Sequence, residues 1–415
     1  MTAHPKYFDV AETRDPQQRE EALMTALARQ VEIAKTRSAY FGALLKQVDA
    51  DAVTSRAALA ALPVTRKSDL LRLQPLSLPF GGLNGTAPGQ LARIFMSPGP
   101  IYDPEGRGAD YWRFARALFA AGFRAGEIVH NCFSYHLTPA GSMVESGAHA
   151  LGCAVVPAGV GQSDQQLRAI ADIRPHGYGG TPSFLKILVD KAREEGLDIS
   201  CMTKALVSGE AFLPVHRADL KAAGVVARQC YATADLGLVA YESEAEDGLI
   251  ADEHLIIEIL RPGTGDPVES EGEVGEVVVT LLETDYPLIR FATGDLSAVL
   301  PGRSACGRTN TRLRGWLGRA DQVTKIRGMF VHPVQVTAAV KKHPSIARAR
   351  LVVDRAGHQD DMVLEAELVS GAELSQERLL DDLRAATKLR GRVVVVAPGT
   401  LPADAKTIED RRPVG

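Results

Sequence analysis

The stretch EIVHNCFSYHLTPAGSMVESGAHALGCAVVPAG, residues 127–159, decides the fold class. It opens on EIVHNCFS, an apolar run of strand length. TPAGSMVESGAHALG reads as a helix, and CAVVPAG as a second strand. The same alternation continues on both sides. Upstream, ADYWRFARALFAAGF (109–123) is a helix. Downstream come the helix SDQQLRAIADI (163–173), the short strand GYGGT (177–181), and the helix PSFLKILVDKAREEG (182–196), with Pro182 in its first turn. The strand KALVSGE, a helix from Pro214 and the strand GVVARQCYA complete the series. Strands separated by helices in this way predict a parallel sheet with right-handed crossovers.

Outside this block the pattern changes. Residues 19–45 read as one helix with an apolar stripe. In LPVTRKSDLLRLQ (62–74), Thr65 is placed to N-cap a short helix. After Tyr231 the chain is β-rich: LIIEILRP, GEVGEVVVTLL and RFATGDLSAVL, separated by the turn signals RPGTGDP, ETDYP and PGRS. From Asp321 the order is a short strand, a helix over 333–343, strands ARARLVVD and DMVLEAELV, a helix over 374–390, and strand RVVVVAP. That is a separate α+β domain. The expected fold is therefore α/β: a large N-terminal domain, 1–320, with parallel-type sheets and a β-rich subdomain at about 250–316, then a C-terminal α+β domain, 321–415.

Composition narrows the function. With 415 residues the chain exceeds one hydrophobic core, and 45% hydrophobic with 24% charged residues is ordinary for a globular protein. A net charge of −4 gives no basic face for nucleic acid. No apolar run reaches the ~18 residues of a membrane span, and the N-terminus lacks a signal-peptide core, so a cytoplasmic protein is expected. Cys132, Cys153, Cys201, Cys230 and Cys306 are scattered, an odd set with no CxxC, which argues against disulfides. Neither HExxH nor GxSxG occurs. IFMSPGPIYDPEGRG (94–108) has the small residues of a phosphate-wrapping loop, yet Pro98, Pro100 and Pro104 lack the N–H such a loop uses.

Four segments in order carry chemistry: CYATADLG (230–237), GEVGEVVVT (272–280), YPLIRFATGDL (286–296) and GRADQVTKIRGMFVHPVQV (318–336). Together with LPVTRKSDL and LGCAVVPAG…TPSFL they resemble the phenylacetate-CoA ligase branch of the adenylate-forming superfamily, along almost the whole chain. The resemblance implies ATP-dependent activation of a small carboxylic acid, aromatic or other, through an acyl-adenylate and then a coenzyme A thioester. It also makes the C-terminal domain a mobile lid. Asp295, an acceptor-only carboxylate, is the implied ribose ligand. Arg319 is implied at ribose and phosphate oxygens. Tyr231 would stack on adenine, framed by Ser208, Gly209 and Glu210. Asp235 takes the place of a glutamate that binds Mg²⁺, a hard cation that prefers oxygen ligands. Asp321 is the implied hinge, Gly328 lines the pantetheine tunnel, and Lys406 is the catalytic lysine. Phe133 and Tyr135 are expected near the acid.

The sequence also departs from that pattern. Where relatives carry a Ser/Thr/Gly-rich loop ending in Gly-Lys-Pro, only Ser97 and Gly99 remain; Tyr102 and Arg107 are the candidates to substitute. Ala234 replaces a hydroxyl residue, although Thr233 precedes it, and the Lys406 segment is short and lacks its glycine. Relatives with a structural zinc use a cysteine-rich cluster. Here Ser243 and Ser304 stand at two positions, leaving Cys306 and His254, so no zinc is expected. Two alternatives stay open: acyl transfer to a carrier protein or amine, and a non-catalytic nucleotide- or CoA-binding relative with a decayed phosphate loop. A homodimer is a family-level expectation.

Overall fold

The computed structural model describes residues 5–97, 100–326, 329–356, 359–402 and 405–412. The predicted alternation is there. Strands Val226–Thr233, Lys204–Val207, Gly177–Gly180, Ile128–Asn131 and Ala154–Pro157 lie side by side in that order, all parallel. Helices Ala140–Leu151, Ser163–Ile173, Pro182–Glu195 and Pro214–Ala222 connect them. Thr181 caps the third of these, accepting from the Phe184 N–H, with Pro182 inside the first turn. The strand Gly237–Glu242 then turns back antiparallel on Val226–Thr233, and further short strands extend this to a nine-stranded sheet.

Strand order matters for function. Ile128–Asn131 has Ala154–Pro157 on one side and Gly177–Gly180 on the other, so the chain reverses its winding there. Ligands in such sheets bind beyond the carboxyl ends of the strands near that reversal.

A second, four-stranded sheet runs Thr65–Arg66, Phe291–Ser297, Gly275–Leu281 and Leu255–Leu260. Thr65 is therefore in a strand, parallel to Phe291, and does not cap a helix; its N–H bonds the Arg290 carbonyl at 3.1 Å. The reading of 19–45 as one helix also needs correction. Pro16–Arg37 ends at Ser38, whose hydroxyl accepts from the Phe41 N–H and starts a new helix, Ala39–Leu44. The helix expected over 109–123 covers only Phe114–Ala120, because Arg113 takes a left-handed φ of 64°.

By contact clustering the chain divides into two compact units. The first comprises Met1–Arg261, Gly265–Thr293 and Ala298–Trp316. Its buried aromatics include Phe41, Phe80, Trp112, Tyr241 and Phe291. The second comprises Pro262–Thr264, Gly294–Ser297 and Leu317–Gly415. It carries a four-stranded sheet in the order Arg392–Val396, Gln359–Leu368, Ile346–Ala356, Ile408–Asp410, with helices Pro333–Val340 and Gln376–Thr387. Its own core is built from Ile326, Val331, Leu351, Leu364, Leu379, Leu383 and Ile408. No helix among the described residues is long and apolar enough to cross a membrane.

Candidate active site

In the first unit the carboxyl ends of the parallel strands converge on a cavity of about 160 Å³. Phe133 follows one strand, Ser208 and Gly209 another, and Ala232, Thr233 and Ala234 close a third. Phe114, Pro139, Ala140 and Met143 supply the opposite wall, with Ser97 and Thr138 as its hydroxyls. Among the described residues no charged side chain lines it. Burying an unpaired charge there would be costly, so the cavity suits an apolar body. Gly147 allows this wall to form, because a Cβ there would stand 2.6 Å from Phe114 Cβ and 2.7 Å from the Ala115 nitrogen.

Several residues implied by the motifs meet here. Gly209 has φ of +86°, a conformation glycine adopts freely. The Ser208 hydroxyl donates to the Cys230 carbonyl at 2.8 Å, fixing one strand end to the next. The Thr233 hydroxyl accepts from the Leu236 N–H at 3.1 Å. Tyr231 donates its hydroxyl to Thr293 Oγ1 at 3.2 Å. Others are elsewhere. Glu210 is exposed and accepts from the Ser183 N–H at 2.6 Å. Tyr135 does not line the cavity; its hydroxyl accepts from Asn131 and donates to Glu145, each at 2.7 Å.

The puzzling loop resolves into a hairpin. Strands Arg93–Ser97 and Ile101–Glu105 pair antiparallel as far as Ser97 opposite Ile101, leaving only residues 98–100 to connect them. Gly99 lies outside the described residues. Neither proposed substitute turns toward the cavity: Tyr102 packs against the core and Arg107 Nε bonds the Gln90 carbonyl at 3.0 Å.

The hairpin does deliver a side chain that the motifs do not mention. Asp103 is wholly buried, and its nearest polar neighbours are the Ser97 hydroxyl and the Asp235 carboxylate. Burial, the neighbouring Asp235 carboxylate and a contact between the two carboxyls raise its pKa well above the ordinary carboxylate range, only partly offset by Ser97 and Lys67. Asp235 Oδ2 pairs with Lys67 Nζ at 2.5 Å, while its Oδ1 is unpartnered. Tyr286 is also wholly buried; burial and both carboxylates push its hydroxyl's pKa up, with a contact to the Gln74 side chain opposing them. Lys67 lies in the recognised LPVTRKSDL segment, but nothing local in the sequence announces a partner 168 residues away.

In the second unit, Asp295 and Arg319 are bridged backbone to backbone, and Arg319 Nη1 donates to Asp295 Oδ1 at 3.0 Å. Gly294, at φ +78°, leaves room for that guanidinium: a Cβ would approach Arg319 Nη2 to 2.5 Å. Asp321 lies in the 3-10 turn Ala320–Gln322. The Gln322 side chain accepts from the Thr407 N–H at 2.9 Å, beside the exposed Lys406. Gly328 lies outside the described residues.

At the positions discussed for zinc, Ser304 donates to Cys306 Sγ at 3.0 Å, and His254 pairs with Asp252 at 3.5 Å. Among the described residues no three His, Cys, Asp or Glu side chains gather as a metal cluster.

No family model matches the sequence. Individual proteins do. The chain is 31% identical to a phenylacetate-coenzyme A ligase of Aromatoleum evansii over 398 residues, covering 89% of this chain and 88% of that protein. It is 32% identical to the phenylacetate-coenzyme A ligase of Thermus thermophilus over 343 residues, covering 78% of this chain and 76% of that one. Among solved structures, an open conformation of a 2-hydroxyisobutyryl-CoA ligase in complex with 2-HIB-AMP and CoA has the same fold, with a TM-score of 0.86. The two share 23% identity over 99% of this chain and 95% of the other.

Proposed function

Because the chain belongs to the phenylacetate-CoA ligase family, we propose that it activates a small carboxylic acid with ATP and passes the acyl group to coenzyme A. A carboxylate oxygen attacks the α-phosphorus, and the bond to the departing pyrophosphate breaks. The CoA thiol then loses its proton, attacks the acyl carbon and expels AMP. The observation that carries the reading is the uncharged cavity at the strand ends, flanked by the Tyr231 segment. Its size and its Phe114, Phe133 and Met143 walls suit a monocarboxylic acid with an apolar body of about one ring.

Each residue then has a task. Asp295 accepts from the ribose hydroxyls, and Arg319 holds it in position while donating to ribose and phosphate oxygens. Tyr231 packs on adenine, with Ser208 and Gly209 as the frame. Lys406, exposed in the second unit, supplies positive charge as negative charge builds during adenylation. Asp321 is the hinge. The neighbouring carboxylates of Asp235 and Asp103 fit a divalent cation, which when bound would neutralise phosphate charge.

The test is pyrophosphate release with ATP, Mg²⁺ and a panel of aryl and short aliphatic acids. Release abolished by Lys406→Ala, with thioester formed on adding CoA, supports the proposal; release without thioester moves the acyl group to a carrier protein or amine. The three-residue hairpin connection favours a second reading, nucleotide or CoA binding without turnover. Silence across the panel, together with measurable AMP binding, would establish that one.

A further inference from the structure

Strands Arg93–Ser97 and Ile101–Glu105 form a two-stranded sheet of their own. Two strands alone are marginal in water, so the placement of this hairpin depends on what grips its edges. At its base, Glu105 accepts from Arg93 Nη1 and from the Ser142 hydroxyl, each at 2.7 Å. Nearer the turn, the grip falls on one rung, Met96 opposite Tyr102. The Met96 N–H donates outward to the Leu137 carbonyl at 2.8 Å, beside Thr138 of the cavity wall. On the other edge the partner is a side chain. Gln74 Nε2 donates to the Tyr102 carbonyl and Gln74 Oε1 accepts from the Tyr102 N–H, both at 2.8 Å. This is the exchange of two bonds that a residue of a neighbouring antiparallel strand would make. It also fixes which end of the amide is oxygen and which is nitrogen. Gln74 is 2% exposed, in the turn Gln74–Leu76, and the same amide contacts the hydroxyl of Tyr286.

We propose that Gln74 is a positioning residue for activation of the acid: its side-chain amide serves as a one-residue strand that holds the hairpin in place against the acid cavity. This rests on the proposed function and adds a residue to it. The clamped rung has a site residue on either side. Ser97, next to Met96, lines the cavity, and Asp103, next to Tyr102, lies beside Asp235. One pair of hydrogen bonds therefore sets the position of both. Without Gln74 the hairpin keeps its base but loses its hold on the Tyr102 edge near the turn. Small displacements of groups that line a reacting centre are costly to rate, even when the fold survives.

The experiment measures pyrophosphate release by the full chain with ATP, Mg²⁺ and the acid panel, alongside AMP affinity by calorimetry. Gln74→Leu removes both bonds, and its kcat/KM should fall about tenfold or more while AMP affinity stays as in the wild type. Gln74→Glu is the sharper variant, and it keeps the test open should the leucine variant fail to fold. A protonated glutamic acid donates its O–H to the Tyr102 carbonyl and accepts from the Tyr102 N–H, as the amide does. Ionised, it sets a bare oxygen against that carbonyl. Burial raises the pKa of such a carboxyl, so activity relative to the wild type should be highest near about pH 6 and fall toward about pH 9. A Gln74→Glu deficit equal at every pH, wild-type kcat/KM in Gln74→Leu, or an equal loss of AMP affinity overturns the proposal. Those results leave the proposed function standing, whereas no release by the wild type defeats it and this inference with it.

Discussion

Arg319 and Asp295 are paired twice over, by a backbone bridge and by a 3.0 Å ion pair between their side chains. The carboxylate is largely buried and the guanidinium partly exposed, so the arginine fixes the acid in place. Asp295→Ala should weaken AMP binding about 10- to 100-fold, the loss expected for charge-assisted hydrogen bonds of ~1.5–3 kcal/mol. Isothermal calorimetry with AMP measures it. Arg319→Lys should lose affinity too, because an ammonium cannot reproduce the planar fork.

Lys67→Ala strips the cation from an enclosed carboxylate. Losing one partner of a buried pair costs about 3–5 kcal/mol, and the partial exposure of Lys67 lowers this to roughly 1–3. Chemical denaturation should show the loss, and Asp235→Asn added to Lys67→Ala should recover much of it. Additive effects of the two substitutions would contradict the pairing.

Asp110 predicts a pH dependence. Burial lifts its carboxyl from the ordinary value to about 6, in spite of hydrogen bonds from the Ala115 and Phe114 N–H groups. A group whose folded value is raised stabilises the fold when protonated. Its contribution is complete below the unfolded value near ~4 and is lost as pH rises to about 6. Asp110→Asn, which can still accept from the helix N-terminus, should therefore raise the thermal midpoint at pH 8 and leave it nearly unchanged at pH 4. Scanning calorimetry of both proteins at the two pH values decides the matter.

Gly147→Ala tests the cavity wall. The new methyl group meets the Phe114 backbone and Cβ, so the helix Phe114–Ala120 must move. Overpacking of this kind costs about 1–3 kcal/mol. The thermal midpoint should fall and the KM for the acid should rise, while AMP affinity, read by calorimetry, stays as in the wild type.

What the sequence disclosed followed physical locality. Strands and helices from 127 to 233 are legible because their apolar periods are local, and helix Ser163–Ile173 begins and ends where its pattern does. Asp295, Arg319 and Tyr231 could be singled out because each stands in a short ordered motif. The Lys67–Asp235 pair could not, since it joins segments 168 residues apart. Asp103 was hidden for another reason: a charged residue between two prolines looks like surface, and only the pairing of its strand buries it. Ser38 starts a second helix through a side-chain cap, which residue composition alone does not reveal.

A hairpin closed by three residues has no length to fold over a leaving group. Any hold on a departing pyrophosphate must therefore come from side chains outside that connection.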